Sequence, residues 1–209
     1  MIGSFGEKTV ARRTFFSFHY RPDVHRAMVV RNSWVTKADR EDSGFFDSSV
    51  FESKQRNDDA LKAFLLDGLK NTSVTCVLIG AETSLRRWVR FEIFRSFMRG
   101  NGLFGIQVGG IKNLRQETCG AGGNPFSALA FTIEGDRLKF QEYMATGWQW
   151  ARDVGSMPMS EVAYDMRGMT NHTLSNLFPV YEWIADGGFE NLGDWIESAA
   201  GHAGKLRWL

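Results

Sequence analysis

The run Val74 to Ile79, VTCVLI, is apolar or β-branched at nearly every position and closes on Gly80. A strand without strict alternation is covered on both faces, which suits a parallel sheet flanked by helices. A short polar connection follows, in which Thr83 or Ser84 serves as helix N-cap, and helical spacing begins at Leu85. At about 100° per residue, Leu85, Val89, Ile93 and Phe97 form one apolar stripe. Glu92 falls roughly 60° to one side of Val89, with Trp88 one turn earlier. A carboxylate at the border of a buried stripe, beside a large aromatic, marks where chemistry is expected.

The rest of the chain repeats this alternation. Residues 1–12 read as a leader before a single domain over 13–209. Thr14 to Phe18 reads as a first strand, and His19 to Asp23 as the loop after it. Pro22 and Asp23 then start a helix that runs to Val35. Gly44 to Asp47 suggests a short second strand ending in an aspartate. Asn57 to Lys70 carries an amphipathic period at Leu61, Phe64, Leu65 and Leu69. Gly102 to Val108 reads as another buried strand. Ile111 to Pro125 reads as a glycine-rich loop, and Phe126 to Ile133 with Arg137 to Phe140 as a strand or hairpin at the sheet edge. Glu142 to Arg152 fits either a helix or an extended arm. Leu177 to Ile184 and Phe189 to Ala199 read as two terminal helices, so the extension over about 142–209 is expected to add helices. Alternating strands and helices joined by short loops give an α/β fold of flavodoxin-like type, with a central parallel sheet of about five strands.

Composition excludes some functions. A formal charge of +1 offers no bulk attraction to nucleic acid or to an anionic membrane, so neither is an expected partner. Cys76 lies in the apolar strand and Cys119 in the glycine-rich loop, which makes neither a disulfide framework nor a metal site and points to a reduced, cytoplasmic setting. Neither a signal peptide nor a membrane-spanning run is expected. Seven Trp and 17 Phe exceed what the core of such a domain requires, so some are available to line a pocket for flat rings.

In open parallel sheets the ligand sits at the carboxyl ends of the strands. That rule selects Phe18, His19, Tyr20 and Arg21 after the first strand, Asp47 after the second, and Glu82, Thr83, Trp88 and Glu92 after the third. Each has a plainer role. Glu92 fits a solvated helix position paired with Arg95, Trp88 a core aromatic, and His19 a packed loop histidine. Arg31 and Asn32 fit a solvated helix face, and Asp47 a turn or cap. Arg86, Arg87 and Arg90 fit either a basic face or a phosphate contact. Neither a Walker A nor a GxGxxG motif is present.

Seven segments, taken in order, resemble one family. They are FFSFHY (15–20), VVRNSWVTK (29–37), FFDSS (45–49), LKNTSVTCVLIGAETSLRRWVRFEI (69–93), GNGLFGIQV (100–108), GGNPF (122–126) and VYEWIADGGFENLGDWIE (180–197). Together they look like the ThsB family of TIR-domain proteins from Thoeris antiphage defence. The resemblance implies cleavage of NAD at the nicotinamide–ribose bond, with NAD as substrate and no separate cofactor or metal. It also implies a cyclic ADP-ribose isomer as product, a signal to the effector ThsA, a phage-derived activator and self-assembly. The family's catalytic glutamate, on the helix after the third strand, matches Glu92. Around it, Trp88 or Phe18 would stack on a ring and His19 and Tyr20 would border the nicotinamide end. Asp47 would hold a hydroxyl, and Arg31 with Asn32 would brace the first loop or reach the diphosphate. The alternatives are an NAD hydrolase releasing linear ADP-ribose, a non-catalytic TIR adaptor, and a flavin-binding module with only the fold in its favour.

Overall fold

The computed structural model describes residues 12–35 and 57–205. Strand β1 (Thr14–Phe18) leads through His19 into helix α1 (Tyr20–Val35). Helix α2 (Asp58–Gly68) is capped by Asn57, whose side-chain oxygen accepts from the amides of Asp59 and Ala60. Strand β2 (Val74–Ile79), helix α3 (Arg87–Met98) and strand β3 (Gly102–Gln107) follow, with Gly100 at φ 75° ending α3. Then come strands β4 (Leu129–Glu134), β5 (Arg137–Met144), β6 (Gly147–Trp150), β7 (Met157–Pro158), β8 (Asn171–Thr173) and β9 (Val180–Glu182). Helix α4 (Gly188–His202) is the last element. No helix among the described residues is long and apolar enough to cross a membrane.

Strands β1, β2, β3 and β9 form a parallel sheet in the order β1-β2-β3-β9. The sheet has four strands among the described residues; the strand expected at Gly44 to Asp47 lies outside them, as does most of the expected leader. Alternation along each strand sends side chains to two covered faces. Phe16, Val74, Cys76, Leu78, Phe104 and Ile106 pack against Ala27, Val30 and Trp34 of α1 and Leu192, Trp195 and Ile196 of α4. Val77, Ile79 and Leu103 face the other way, onto α2 and α3. Burying each large apolar side chain contributes about 1.5–3 kcal/mol, which explains why β2 has no polar face at all. Helix α4 lies directly on β3, for a Cβ at Gly102 would stand 2.0 Å from the carbonyl oxygen of Ala199.

The second half corrects the sequence reading. The hairpin expected at the edge of the parallel sheet builds a separate antiparallel sheet, ordered β6-β5-β4-β8 with β7 also paired to β5. Its residues alternate, with Phe131, Leu138 and Phe140 buried, so one face seeks a partner and finds α3. Glu142 to Arg152 is neither helix nor arm; it is the end of β5, a turn with Gly147 at φ 98°, and β6. Leu177 to Ile184 is not a helix. Pro179 interrupts helical pairing there, and β9 docks on the open edge of β3, where the Pro179 carbonyl accepts from the Gly105 amide at 2.9 Å. The extension therefore carries short strands as well as a helix, and of the two expected terminal helices only α4 forms.

Helix α3 is thus enclosed by a sheet on each side. Every residue from Val89 to Phe97 except Arg95 is buried. Phe97 is the hinge of this packing, its ring 4.8 Å from Tyr164, 5.5 Å from Phe131 and 5.9 Å from Phe140, centroid to centroid. Leu85, expected at the head of the apolar stripe, is instead 68% exposed, because the helix starts two residues later.

One buried ion pair anchors the loops above the sheet. Arg26 pairs with Asp23 and donates to the carbonyl of Ile111 at 2.9 Å, tying α1 to the glycine-rich loop. The side-chain amide of Gln107 donates to the Gly122 carbonyl at 2.8 Å and accepts from its amide at 3.0 Å. The loop consequently crosses the end of β2 so closely that a Cβ at Gly122 would stand 1.9 Å from the Gly80 oxygen.

Truncating the ring that joins both sheets should be costly. Phe97→Ala is expected to lower the unfolding free energy by about 3–5 kcal/mol in urea titrations followed by far-UV circular dichroism.

Candidate active site

Glu92 sits inside the interface between α3 and the parallel sheet. It is 5% exposed, and its Oε2 accepts a short hydrogen bond from the Ser17 hydroxyl of β1. Ser17 shares with Phe15 the face of β1 that looks toward α3. One turn further on, Ser96 repeats the arrangement, its hydroxyl 2.8 Å from that of Thr75 on β2. Helix α3 therefore lays a narrow polar seam, Glu92 then Ser96, across the strands. Burial raises the Glu92 acid from its ordinary 4.5 to about 8, and the Ser17 hydrogen bond only partly offsets this. The solvated pairing with Arg95 is overturned: Arg95 turns to the sulfur of Met98.

The turn between β2 and α3 shapes the opening above this acid. Thr83 does not cap α3. Its hydroxyl accepts from the Gly80 amide at 2.9 Å and closes a 3₁₀ turn over Thr83–Leu85, and α3 then begins at Arg87. Above the carboxyl end of β1 lies a cleft of about 590 Å³, lined by Phe18, His19, Tyr20, Arg86, Trp88 and Val89 among others. Its size is that of a small-molecule site. Glu92 and Ser17 do not line this cleft; they are buried beneath it, Glu92 one helical turn beyond Trp88 and Val89, and Ser17 next to Phe18 in the chain.

Of the residues selected from the sequence, Phe18, His19, Tyr20, Arg21 and Trp88 come together in the cleft, and Glu92 is buried one helical turn from Trp88. The rings of Phe18 and Tyr20 are 6.1 Å apart. Trp88 packs edge-on to Phe91 at 5.8 Å and also lines the cleft, with the Arg87 guanidinium 4.5 Å from its ring. Burial, and secondarily the Arg86 charge, holds His19 below the usual imidazole range, so it is neutral at pH 7. Arg31 and Asn32 are on α1 but about 16 Å along the axis from Tyr20, and neither lines the cleft. Asp47 lies outside the described residues. The basic cluster is internally engaged: Arg86 with Glu82, Arg87 with Asp58 and Asp153, Arg90 with Glu142. The residue that sequence reasoning missed is Ser17. The Ser17 hydroxyl in TFFSF, on the face shared with Phe15, was the available signal, since a buried polar side chain needs a partner.

Residues 15–113 match the family model of the Thoeris protein ThsB, TIR-like domain. The chain is also similar to a proposed cyclic ADP-D-ribose synthase, ThsB1, of Bacillus cereus (strain MSX-D12). The two are 39% identical over 191 residues, which cover 90% of this chain and all of that protein. A parallel sheet carrying an acid-bearing helix, together with this likeness over almost the full length, establishes that the chain belongs to the ThsB family of TIR-domain Thoeris proteins.

Proposed function

We propose that this protein cleaves NAD at the nicotinamide–ribose bond and closes the remaining ADP-ribosyl group into a cyclic ADP-ribose isomer. The observation that supports this most is Glu92, a buried acid held by Ser17 and one helical turn from Trp88, which lines a ring-bearing cleft. Nicotinamide leaves as a neutral molecule from a cationic nitrogen, so no general acid is required, unlike the oxygen leaving group of ordinary glycoside hydrolysis. One carboxylate suffices. It hydrogen-bonds the ribose hydroxyls and stabilises the positive charge that develops at the anomeric carbon.

The glycosidic carbon–nitrogen bond breaks and its electron pair stays on nicotinamide. A hydroxyl oxygen of the adenosine ribose then bonds to the anomeric carbon, and its proton passes to the Glu92 carboxylate. The cleft's aromatic walls limit the access of water, which would otherwise give linear ADP-ribose. Phe18 and Trp88 offer faces to the nicotinamide ring, and neutral His19 with Tyr20 borders it. The raised pKa fits this substrate. An empty site keeps Glu92 largely neutral at pH 7, and the cationic ring, on entering, favours its ionised form. The reading extends to a cytoplasmic enzyme, acting on the NAD pool, whose cyclic nucleotide signals to the effector ThsA after a phage-derived activator engages the protein, with self-assembly supporting activity.

Mass spectrometry of nucleotides from phage-infected cells tests the reaction. Wild type is expected to give free nicotinamide and a product one water lighter than ADP-ribose, and Glu92→Gln to lower both by roughly a hundredfold or more. Undiminished turnover in that variant would sink the assignment. A product of ADP-ribose mass alone would make the protein a hydrolase, and protection against phage by Glu92→Gln would make it an adaptor.

The pH dependence has a defined sign. For wild type, kcat/KM should rise with pH through about 8, where the free enzyme's acid ionises, and the inflection in kcat should lie lower because bound NAD favours the carboxylate. Ser17→Ala removes the hydrogen bond that favours ionisation and should move the kcat/KM inflection further up.

Stability should follow the same group. With its folded value raised, Glu92 contributes fully below about 4.5, and this contribution is lost as the pH rises through about 8. Thermal melts of Glu92→Gln against wild type should therefore show Tm differences that grow in the variant's favour between pH 5 and pH 9.

A further inference from the structure

Beside the first cleft lies a second one, of about 290 Å³, between the β2–α3 turn and the β5–β6 hairpin. Leu85 and Arg87 line both and form the ridge between them. Leu85 holds its apolar side chain out at 68% exposure, which the fold itself does not require. Beyond the ridge stand Met144, Gln149, Trp150 and Arg152.

The chemistry of this second wall is that of a purine nucleotide site. Trp150 is 52% exposed and lines the cleft; Lys139 holds its ammonium 5.2 Å from the ring centroid, which leaves one face for a flat ring, with Leu85 and Met144 as further apolar contacts. Gln149 donates to the Thr146 hydroxyl and retains its amide oxygen and a second N–H. That pair of groups matches the donor and acceptor edge of adenine, the pairing that glutamine makes in base recognition. Arg152 is exposed, and its guanidinium makes no hydrogen bond among the described residues. A cation in that setting suits a phosphate.

The ridge itself is rigid. The Arg87 fork donates to both Asp153 oxygens, at 2.7 and 2.8 Å, and to Asp58 at 2.7 Å. Asp153 also receives Lys62 at 2.9 Å, and these bonds hold its acid at about 2. A ligand that spans both clefts must therefore bend over Leu85 rather than displace it.

We propose that the second cleft binds the adenosine end of the dinucleotide whose nicotinamide end occupies the first, a proposal that rests on the NAD reading above. Adenine stacks on Trp150, Gln149 reads its edge, and Arg152 meets the diphosphate. Bending across the Leu85 ridge turns the adenosine ribose back toward the anomeric carbon above Glu92. Trp150 is thus a specificity residue that decides between ring closure and hydrolysis, without taking part in the bond-breaking step.

The test uses protein carrying 5-fluorotryptophan, with the Trp150 and Trp88 signals assigned from the Trp150→Ala and Trp88→Ala variants. AMP is expected to shift the Trp150 resonance, and nicotinamide mononucleotide the Trp88 resonance alone. In turnover assays, Trp150→Ala should raise KM for NAD by about 5- to 150-fold, the worth of one base–aromatic stack. It should leave cleavage of nicotinamide mononucleotide unchanged and move the product from cyclic toward linear. Trp148→Ala, on the neighbouring position of β6 but outside this cleft, should do none of this. An AMP titration that leaves the Trp150 signal still, or a Trp150→Ala variant with native KM and product ratio, overturns the proposal. Absence of NAD cleavage by wild type with AMP still bound at Trp150 would instead retire the NAD reading and keep the adenine site.

Discussion

The acid–hydroxyl contact between Glu92 and Ser17 is the constraint around which the first half of the molecule is arranged. A carboxylate in a dry helix–sheet interface is costly when charged, and a single hydroxyl offsets only part of that cost. The fold tolerates it because β1 and α3 are fixed on every other side. Val89 packs into the core one turn before the acid, the Thr75–Ser96 pair holds the next turn of the helix, and the antiparallel sheet closes the outer face of α3. The consequence is an acid whose pKa burial raises to about 8.

The antiparallel sheet gives α3 its unusual environment and also supplies a wall of its own. Had β4 and β5 extended the parallel sheet, α3 would have kept a solvated face, and the β2–α3 turn would open onto water. Instead β5 and β6 rise beside that turn, and the exposed Leu85 becomes a ridge between two clefts. The Arg87–Asp153 fork links the two halves of the chain at the same place. A structural addition to the core fold thereby borders the site that the core fold creates.

Much of this was legible in the chain. The continuous apolar run of β2, the caps and acidic first turn of α2, and the glycine stop after α3 identify a parallel α/β core because they are local signals with local causes. Glu92 was selected by its place on the helix after the third expected strand and by the family resemblance. The terminal segments were not legible, and for identifiable reasons. LFPVYEWI carries a helix-like spacing, but its state was decided by the vacant edge of β3. The period of Glu142 to Arg152 suited either state until β4 provided a partner.

By itself, the sequence determined the layering of the core and brought forward Glu92 and the rings near the strand ends as candidates, since these follow from hydrophobic period and from position, while the choice of Glu92 over a solvated helix position came from the family resemblance. Only the tertiary structure decided that Glu92 is buried on a hydroxyl from β1, that the basic cluster is spent on internal ion pairs, and that a tryptophan some sixty residues away in sequence shares a wall with the site. These depend on which faces meet in space. A period of 2 or 3.6 residues says which side of an element is apolar, and it is silent about what will cover that side.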